Sequence, residues 1–272
     1  MIQFTKMQGA GNDYVYVDNR NDIVKNPAAL SQKISDRHFG VGSDGLVLIC
    51  KSDKADVRMR MFNPDGSESE MCGNASRCVA RFAWERFFDK SKDEFDLETG
   101  AGIKHIVIHR EGNNFKSATI DMGAPILDPD KIPVSSATNK IEIDGLEFTC
   151  VSMGNPHAVT FVNSVKDAPV LTKGHIYETD KIFPRKANIE FVEVLSPSKA
   201  KMRVWERGTG ETLACGTGAC ATLVACVLNN KTDRAIDLEL LGGTLHIEWE
   251  KETGHVMMTG PAEFVFEGTF QE

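Results

Sequence analysis

Positive charge is in short supply: 31 Lys and Arg face 39 Asp and Glu, giving a formal net charge of −8. Nucleic-acid binding rests on a basic footprint, so that class is excluded. Long apolar runs are missing as well. No stretch approaches the ~18 consecutive apolar residues of a membrane-spanning helix, and no membrane association is expected. The opening MIQFTKMQGAGNDY lacks the basic and apolar regions of a signal peptide, so a cytoplasmic location is expected. Paired CxxC spacing is absent. The seven cysteines (50, 72, 78, 150, 215, 220 and 226) are an odd number. They fit neither a disulfide framework nor a zinc site, and no structural metal is expected. No segment is low in complexity.

What the chain does contain is a copy of itself. MRMFNPDGSESEMCG (59–73) aligns without a gap on MRVWERGTGETLACG (202–216), an offset of 143 positions. Met59, Arg60, Glu68, Cys72 and Gly73 meet Met202, Arg203, Glu211, Cys215 and Gly216. Upstream, Gly11-Asn12 meets Gly154-Asn155, and Leu46-Val47-Leu48-Ile49 meets Ile189-Glu190-Phe191-Val192. Further on the register slips by two, and Gly102 and His105 meet Gly243 and His246. One long repeat in 272 residues, 41% of them hydrophobic, means two duplicated domains rather than a solenoid.

Taken in order, residues 2–7 and 14–18 read as strands around a GAGND turn. Pro27 to Phe39 reads as a modest helix on Ala28, Leu30, Ile34 and Phe39. GVGSDG (40–45) has the letters of a dinucleotide fingerprint, but it follows a helix and opens the strand LVLIC, the wrong order for that motif. Residues 56–62 alternate as a strand, NPDGSE is a turn, and Gly73 to about Phe88 reads as a helix with Cys72 at its start. DPDKIPV (128–134) reads as a connection between halves. The second half repeats the order, with a weak helix within 165–185 and an almost wholly apolar helix, 216–230, headed by Cys215.

A helix start offers unpaired backbone N–H groups and the positive end of a dipole. Both favour a thiolate, and the same groups bind a carboxylate. The glycine after each cysteine admits a ligand close to the backbone. Two such starts, matched by duplication, point to stereoinversion: one sulfur removes an α-proton and the other delivers a proton from the opposite face. Cys78, Cys220 and Cys226 on helix faces, with Cys50 and Cys150 in strands, read as buried filling instead.

The repeat breaks around this pair. Asn63 stands opposite Glu206, Pro64 opposite Arg207, Tyr14 opposite His157 and Gly45 opposite Asn188. Symmetric bases in asymmetric surroundings fit inversion of one centre in a larger molecule. Arg207 suits a second carboxylate. Asn63, Asn155 and Asn188 suit amide hydrogen bonds, and His157 and Glu206 suit tuning of the thiols or holding an ammonium group. Each of these has a structural reading beside the functional one, and Glu206-Arg207 also reads as an ion-paired loop.

GAGNDY, FNPDGSESEMCGNASRC, SMGNPHAV and ERGTGETLACGTGAC together closely resemble the diaminopimelate epimerase family, in order and over essentially the whole chain. The resemblance implies an α/β (α+β) fold of two pseudo-symmetric domains, each a β-barrel-like sheet around a central helix, with the active site in the interdomain cleft. It implies domains at 1–122 plus 262–272 and at 123–261, the last strand joining the first domain. It further implies interconversion of LL- and meso-2,6-diaminoheptanedioate without PLP or other cofactor, in lysine and peptidoglycan precursor synthesis. A homodimer is expected on the general ground that many cytoplasmic enzymes are dimers. Carried over by position, Cys72 and Cys215 match the acid/base cysteines. Asn12, Asn63, Asn155, Asn188, Glu206 and Arg207 match substrate-binding positions. Gly73-Asn74 and Gly216-Thr217 match amide cradles, and His157 and Glu206 match positions that tune the cysteines. Gly45 departs from members with Gln there, and Asn74 departs from the His usual in proline racemases.

Three other readings compete: an epimerase of a sulfur-bridged (lanthionine-like) analogue or of histidine, a non-catalytic amino-acid binder, and a thiol–disulfide redox protein.

Overall fold

The computed structural model describes residues 1–271. The chain forms two compact units, Met1–Asp121 together with the chain from Thr259 onward, and Met122–Met258. The first unit runs β1 (Ile2–Gly9), β2 (Asn12–Asp18), α1 (Pro27–Ile34), β3 (Leu46–Cys50), β4 (Val57–Phe62), β5 (Glu68–Ser69), α2 (Gly73–Arg86), β6 (Glu94–Thr99), β7 (Gly102–Glu111) and β8 (Asn114–Asp121). The second runs β9 (Lys140–Ile143), β10 (Leu146–Ser152), β11 (Pro156–Phe161), α3 (Val170–Glu178), β12 (Asn188–Ser196), β13 (Lys199–Glu206), β14 (Gly210–Glu211), α4 (Gly216–Leu228), β15 (Ala235–Leu240), β16 (Gly243–Trp249) and the start of β17 (Val256–Gly260), whose last two residues belong to the first unit. β18 (Glu263–Phe270) returns to the first unit.

Duplication is visible in strand register. Val15 pairs with Leu46 in the parallel β2–β3 ladder, and Ala158 pairs with Ile189 in the parallel β11–β12 ladder. Leu46–Phe62 and Phe62–Glu68 have their counterparts in Ile189–Trp205 and Trp205–Glu211. Identical register keeps the same residues facing inward, since a one-residue slip would turn every apolar side chain outward. The repeated charges are explained the same way. Arg60 Nε meets Glu68 at 2.7 Å and Arg203 Nε meets Glu211 at 2.7 Å. His105 and His246 pair with Asp96 and Asp237 at 3.0 and 2.7 Å. These matched residues are structural cross-strand pairs.

Each unit packs its strands around one helix. α2 lies against β1, β2, β4, β7 and β8; α4 lies against β10, β11, β12, β13, β15 and β16. The sequence of α4, GTGACATLVACVL, is small and apolar, so strands approach it from all sides and Cys220, Leu223, Val224 and Cys226 are fully buried. Burial of a Leu or Val side chain contributes roughly 1.5–3 kcal/mol.

β18 completes the first unit. It pairs antiparallel with β1, as β9 pairs antiparallel with β10 in the second. β9 and β10 are joined by the two-residue turn Asp144-Gly145, both with positive φ, whereas β18 reaches β1 from the far end of the chain. Rings bind it there: Phe4 and Phe266 lie 5.8 Å apart, edge to face.

Two local expectations change. The first helix stops at Ile34 rather than Phe39. Backbone N–H groups of Val41 and Gly42 take the Ile34 carbonyl, and Phe39 is 92% exposed on the turn that follows. Residues 128–134 are no linker: they belong to the second unit, where Ile132 and Val134 enter the core with Phe148, Tyr177 and Phe191.

Candidate active site

Cys72 and Cys215 occupy the N-cap positions of α2 and α4, both in extended backbone conformation. An N-cap side chain usually offers an oxygen to the N–H two or three residues on. Cys215 does this with sulfur: Gly218 N–H donates to Sγ at 3.4 Å. Thr217 Oγ1 lies 3.6 Å from the same sulfur. Cys72 makes no such cap; its thiol donates to Asn12 Oδ1 at 3.4 Å. Matched in sequence, the two sulfurs are engaged in opposite senses.

Helix starts favour thiolates, and a low thiol pKa was the expectation for both cysteines. Cys215 goes the other way. Burial pushes its thiol well above the ordinary range, the carboxylates of Glu206 and Glu190 push it further, and Thr217 and the Gly218 N–H offset only part of this. Cys215 is therefore a buried thiol at rest, a proton donor by default. Burial raises the filler cysteines too, Cys78 to about 11 and Cys150 and Cys226 to about 12.

In the first unit, Asn12 follows the tight turn Ala10-Gly11, whose residues both have positive φ. Its Nδ2 donates to Asp44 Oδ2 at 2.7 Å, and Asp44 also accepts the Asp13 N–H and an Arg37 N–H. Lys6, buried, pairs with Asp13 and donates to the Gly42 carbonyl. Asp44 belongs to GVGSDG, so that loop serves to brace Asn12. Asn63 sits in its turn with its Nδ2 on Ser67 Oγ at 3.0 Å. Gly73 and Asn74 form the first turn of α2 and are buried; the Asn74 side-chain oxygen accepts from Arg77 at 2.8 Å. Gly45 has φ +150, and a Cβ there would overlap the Phe62 carbonyl oxygen, which is why this position carries no side chain while its counterpart is Asn188.

In the second unit, Asn155 Oδ1 lies 3.0 Å from His157 Nε2. His157 Nδ1 lies 2.6 Å from Glu190 Oε1, with both side chains completely buried. Asn188 donates to the Pro156 carbonyl at 2.8 Å and accepts the Arg207 backbone N–H at 2.9 Å, tying β11 to the turn after β13. Glu206 accepts from Thr212. Arg207 is exposed, with one guanidinium N–H on the Arg185 carbonyl at 3.1 Å. Gly216 and Thr217 open α4 directly after Cys215.

Two residues here escape a sequence reading. Glu190 is a carboxylate inside the strand run Ile189-Glu190-Phe191-Val192; the only signal is that its counterpart is Val47. Glu178, at the end of α3, accepts the Gly208 N–H at 3.0 Å and Trp205 Nε1 at 2.9 Å, and so fixes the turn that carries Glu206 and Arg207.

The fold has relatives of low sequence identity. A phenazine biosynthesis protein of the PhzF family from Bacillus anthracis superposes with a TM-score of 0.74 at 19% identity, covering 99% of each chain. A hydroxyproline epimerase from Agrobacterium vitis superposes at 0.69 and 14%, covering 98% of this chain and 90% of its own. The chain shares this duplicated α/β architecture with them and carries a cysteine at the start of each central helix. A family model described as diaminopimelate epimerase matches residues 4–127 and 149–265. Diaminopimelate epimerases from Acetivibrio thermocellus and Methanococcus maripaludis strain C6 are 54% and 52% identical, covering 98% of this chain and 98% and 99% of their own. The chain belongs to the diaminopimelate epimerase family.

Proposed function

We propose that this protein interconverts LL- and meso-2,6-diaminoheptanedioate, with Cys72 and Cys215 as the acid/base pair and no PLP. The observation that carries the reading is that repeat-equivalent helices each present a cysteine at the N-cap, in a member of this family. One sulfur takes the α-proton and the other returns a proton to the opposite face, so the net reaction moves no electrons and consumes no second reagent. The buried thiol of Cys215 suits the donor in one direction, and the roles exchange in the reverse direction. The α-carbon is a weak acid. Backbone N–H groups at Gly73-Asn74 and Gly216-Thr217 would stabilise charge building on the α-carboxylate in the transition state.

Asn12, Asn63, Asn155, Asn188, Glu206 and Arg207 bind substrate in this reading, with Arg207 on the distal carboxylate and Glu206 on an ammonium group. His157 and Glu206 tune the cysteines. The active form is a cytoplasmic homodimer serving lysine and peptidoglycan precursor synthesis. The test is proton NMR of LL-diaminopimelate in deuterated water with reductant. Loss of the α-proton signal and growth of the meso isomer, both abolished in Cys72→Ala and Cys215→Ala, supports it. A folded, reduced wild type that exchanges nothing overturns it and leaves an amino-acid binder.

A further inference from the structure

The asparagines at positions 12 and 155 are equivalent in the repeat, yet their amides are held by opposite ends. Asn12 is gripped through nitrogen by Asp44, which leaves its oxygen to the Cys72 thiol. Asn155 is gripped through oxygen by His157 Nε2. An amide oxygen only accepts, so Nε2 carries a hydrogen. The contact of 2.6 Å between Nδ1 and Glu190 Oε1 then needs a proton of its own, on the nitrogen or on the oxygen. Either way the pair is neutral as a whole, imidazolium with carboxylate or imidazole with carboxylic acid.

Without that second proton the arrangement changes. The remaining hydrogen of His157 would turn to Nδ1 and the carboxylate, Nε2 would become an acceptor, and the Asn155 amide would turn round to meet it. A net negative charge would be left fully buried, with Glu190 Oε2 lacking any hydrogen-bond partner among the described residues. Burial without a partner strongly disfavours that state. The surroundings disfavour it too. Facing Glu190 are Glu206 from β13, Cys215 from α4 and Cys150 from β10, together with His157 from β11. None of these but His157 can supply positive charge. The first unit has no such device, with Tyr14 and Val47 at the positions of His157 and Glu190.

We infer that Glu190 is a positioning residue for substrate binding: by sharing one buried proton with His157, it sets which end of the Asn155 amide faces the ligand. The first repeat then offers an amide oxygen and the second a pair of N–H donors at equivalent places. The donor end fits a carboxylate, so Glu190 selects a carboxylate-bearing group on the Asn155 side. This rests on Asn155 being a substrate contact, as in the proposed function.

The experiment combines nitrogen-15 NMR of histidine-labelled protein, with the His157 signals assigned by their loss in His157→Asn, and steady-state kinetics with LL-diaminopimelate. Wild type is expected to show a protonated Nε2 near neutral pH, as its contact with the Asn155 amide oxygen requires. Glu190→Gln, which can donate to Nδ1 and preserve the Nε2–H form, is expected to keep KM close to wild type. Glu190→Val, the residue of the other repeat, is expected to raise KM about tenfold or more, the effect of losing one oriented hydrogen bond to a charged group, with a smaller change in kcat. A bare Nε2 in wild type near neutral pH overturns the inference, as does an unchanged KM in Glu190→Val. An inactive wild type with Nε2–H in place would instead overturn the assigned reaction while leaving the shared proton standing.

Discussion

Asp44 holds the nitrogen end of Asn12 at 2.7 Å, and the oxygen end is thereby left for the thiol of Cys72. The carboxylate can only accept, so it imposes the orientation of the amide. Asp44→Asn removes that constraint and lets the amide turn. We expect kcat/KM to fall by about ten- to a hundredfold, the range for losing one charge-assisted hydrogen bond at a site, with the circular dichroism spectrum unchanged. Wild-type kinetics in this variant would show that the loop does not orient Asn12.

Glu206 raises the barrier to ionising Cys215, second only to burial itself. Removing its charge in Glu206→Gln makes the thiolate easier to form. In a Cys72→Ala background, the rate of Cys215 alkylation by iodoacetamide at fixed pH should rise several-fold. A slower or unchanged rate would mean that Glu206 does not act on this sulfur.

Gly218 has no room for a methyl group. A Cβ there would lie 2.8 Å from Glu190 Oε1 and 3.2 Å from Cys215 Sγ. Gly218→Ala would therefore push apart the carboxylate and the sulfur it separates, destabilising the protein by about 1–3 kcal/mol as overpacking does. Urea denaturation measures the loss, and activity should fall further than stability accounts for. A variant as stable and active as wild type would place Glu190 farther from α4.

Glu190 also has a pH signature. Burial raises its pKa above the ordinary carboxylate range, against the attraction of His157. A carboxyl with a raised folded-state pKa favours folding most at pH values below its unfolded pKa, and that contribution is lost as pH rises through the folded value. Glu190→Gln does not titrate. Its melting temperature relative to wild type should be level in acid and climb as pH increases past the normal carboxylate range. A constant difference across pH would mean that Glu190 ionises as an exposed glutamate does.

How much of this was legible in the sequence depends on what each residue needed. Cys72 and Cys215 could be placed at helix starts because the duplication aligned them and apolar periodicity began just after each. The matched Arg60/Glu68 and Arg203/Glu211 were visible as repeats, but only strand register shows that they pair with each other. The sign of the effect on Cys215 could not be read. A helix dipole is local and follows from sequence, whereas burial and the approach of Glu190 from a neighbouring strand are tertiary. Phe39 continued the helical pattern on paper, yet the chain turned back at Ile34 because backbone groups of Val41 and Gly42 took its carbonyl. Glu190 looked like one polar residue in a strand; its partner lies 33 positions away on β11.

The return of β18 to β1 sets a timetable for synthesis. As the chain leaves the ribosome, the second unit acquires its edge pair, β9 and β10, from adjacent residues and can close as soon as it is made. The first unit waits. Until Glu263–Phe270 emerges, β1 presents an unpaired edge and Phe4 lacks the ring of Phe266. An uncovered edge is a template for pairing with other chains. The half translated first thus waits for a strand made after the whole of the second unit, and Glu263–Phe270 decides whether a nascent molecule presents a closed edge or an adhesive one.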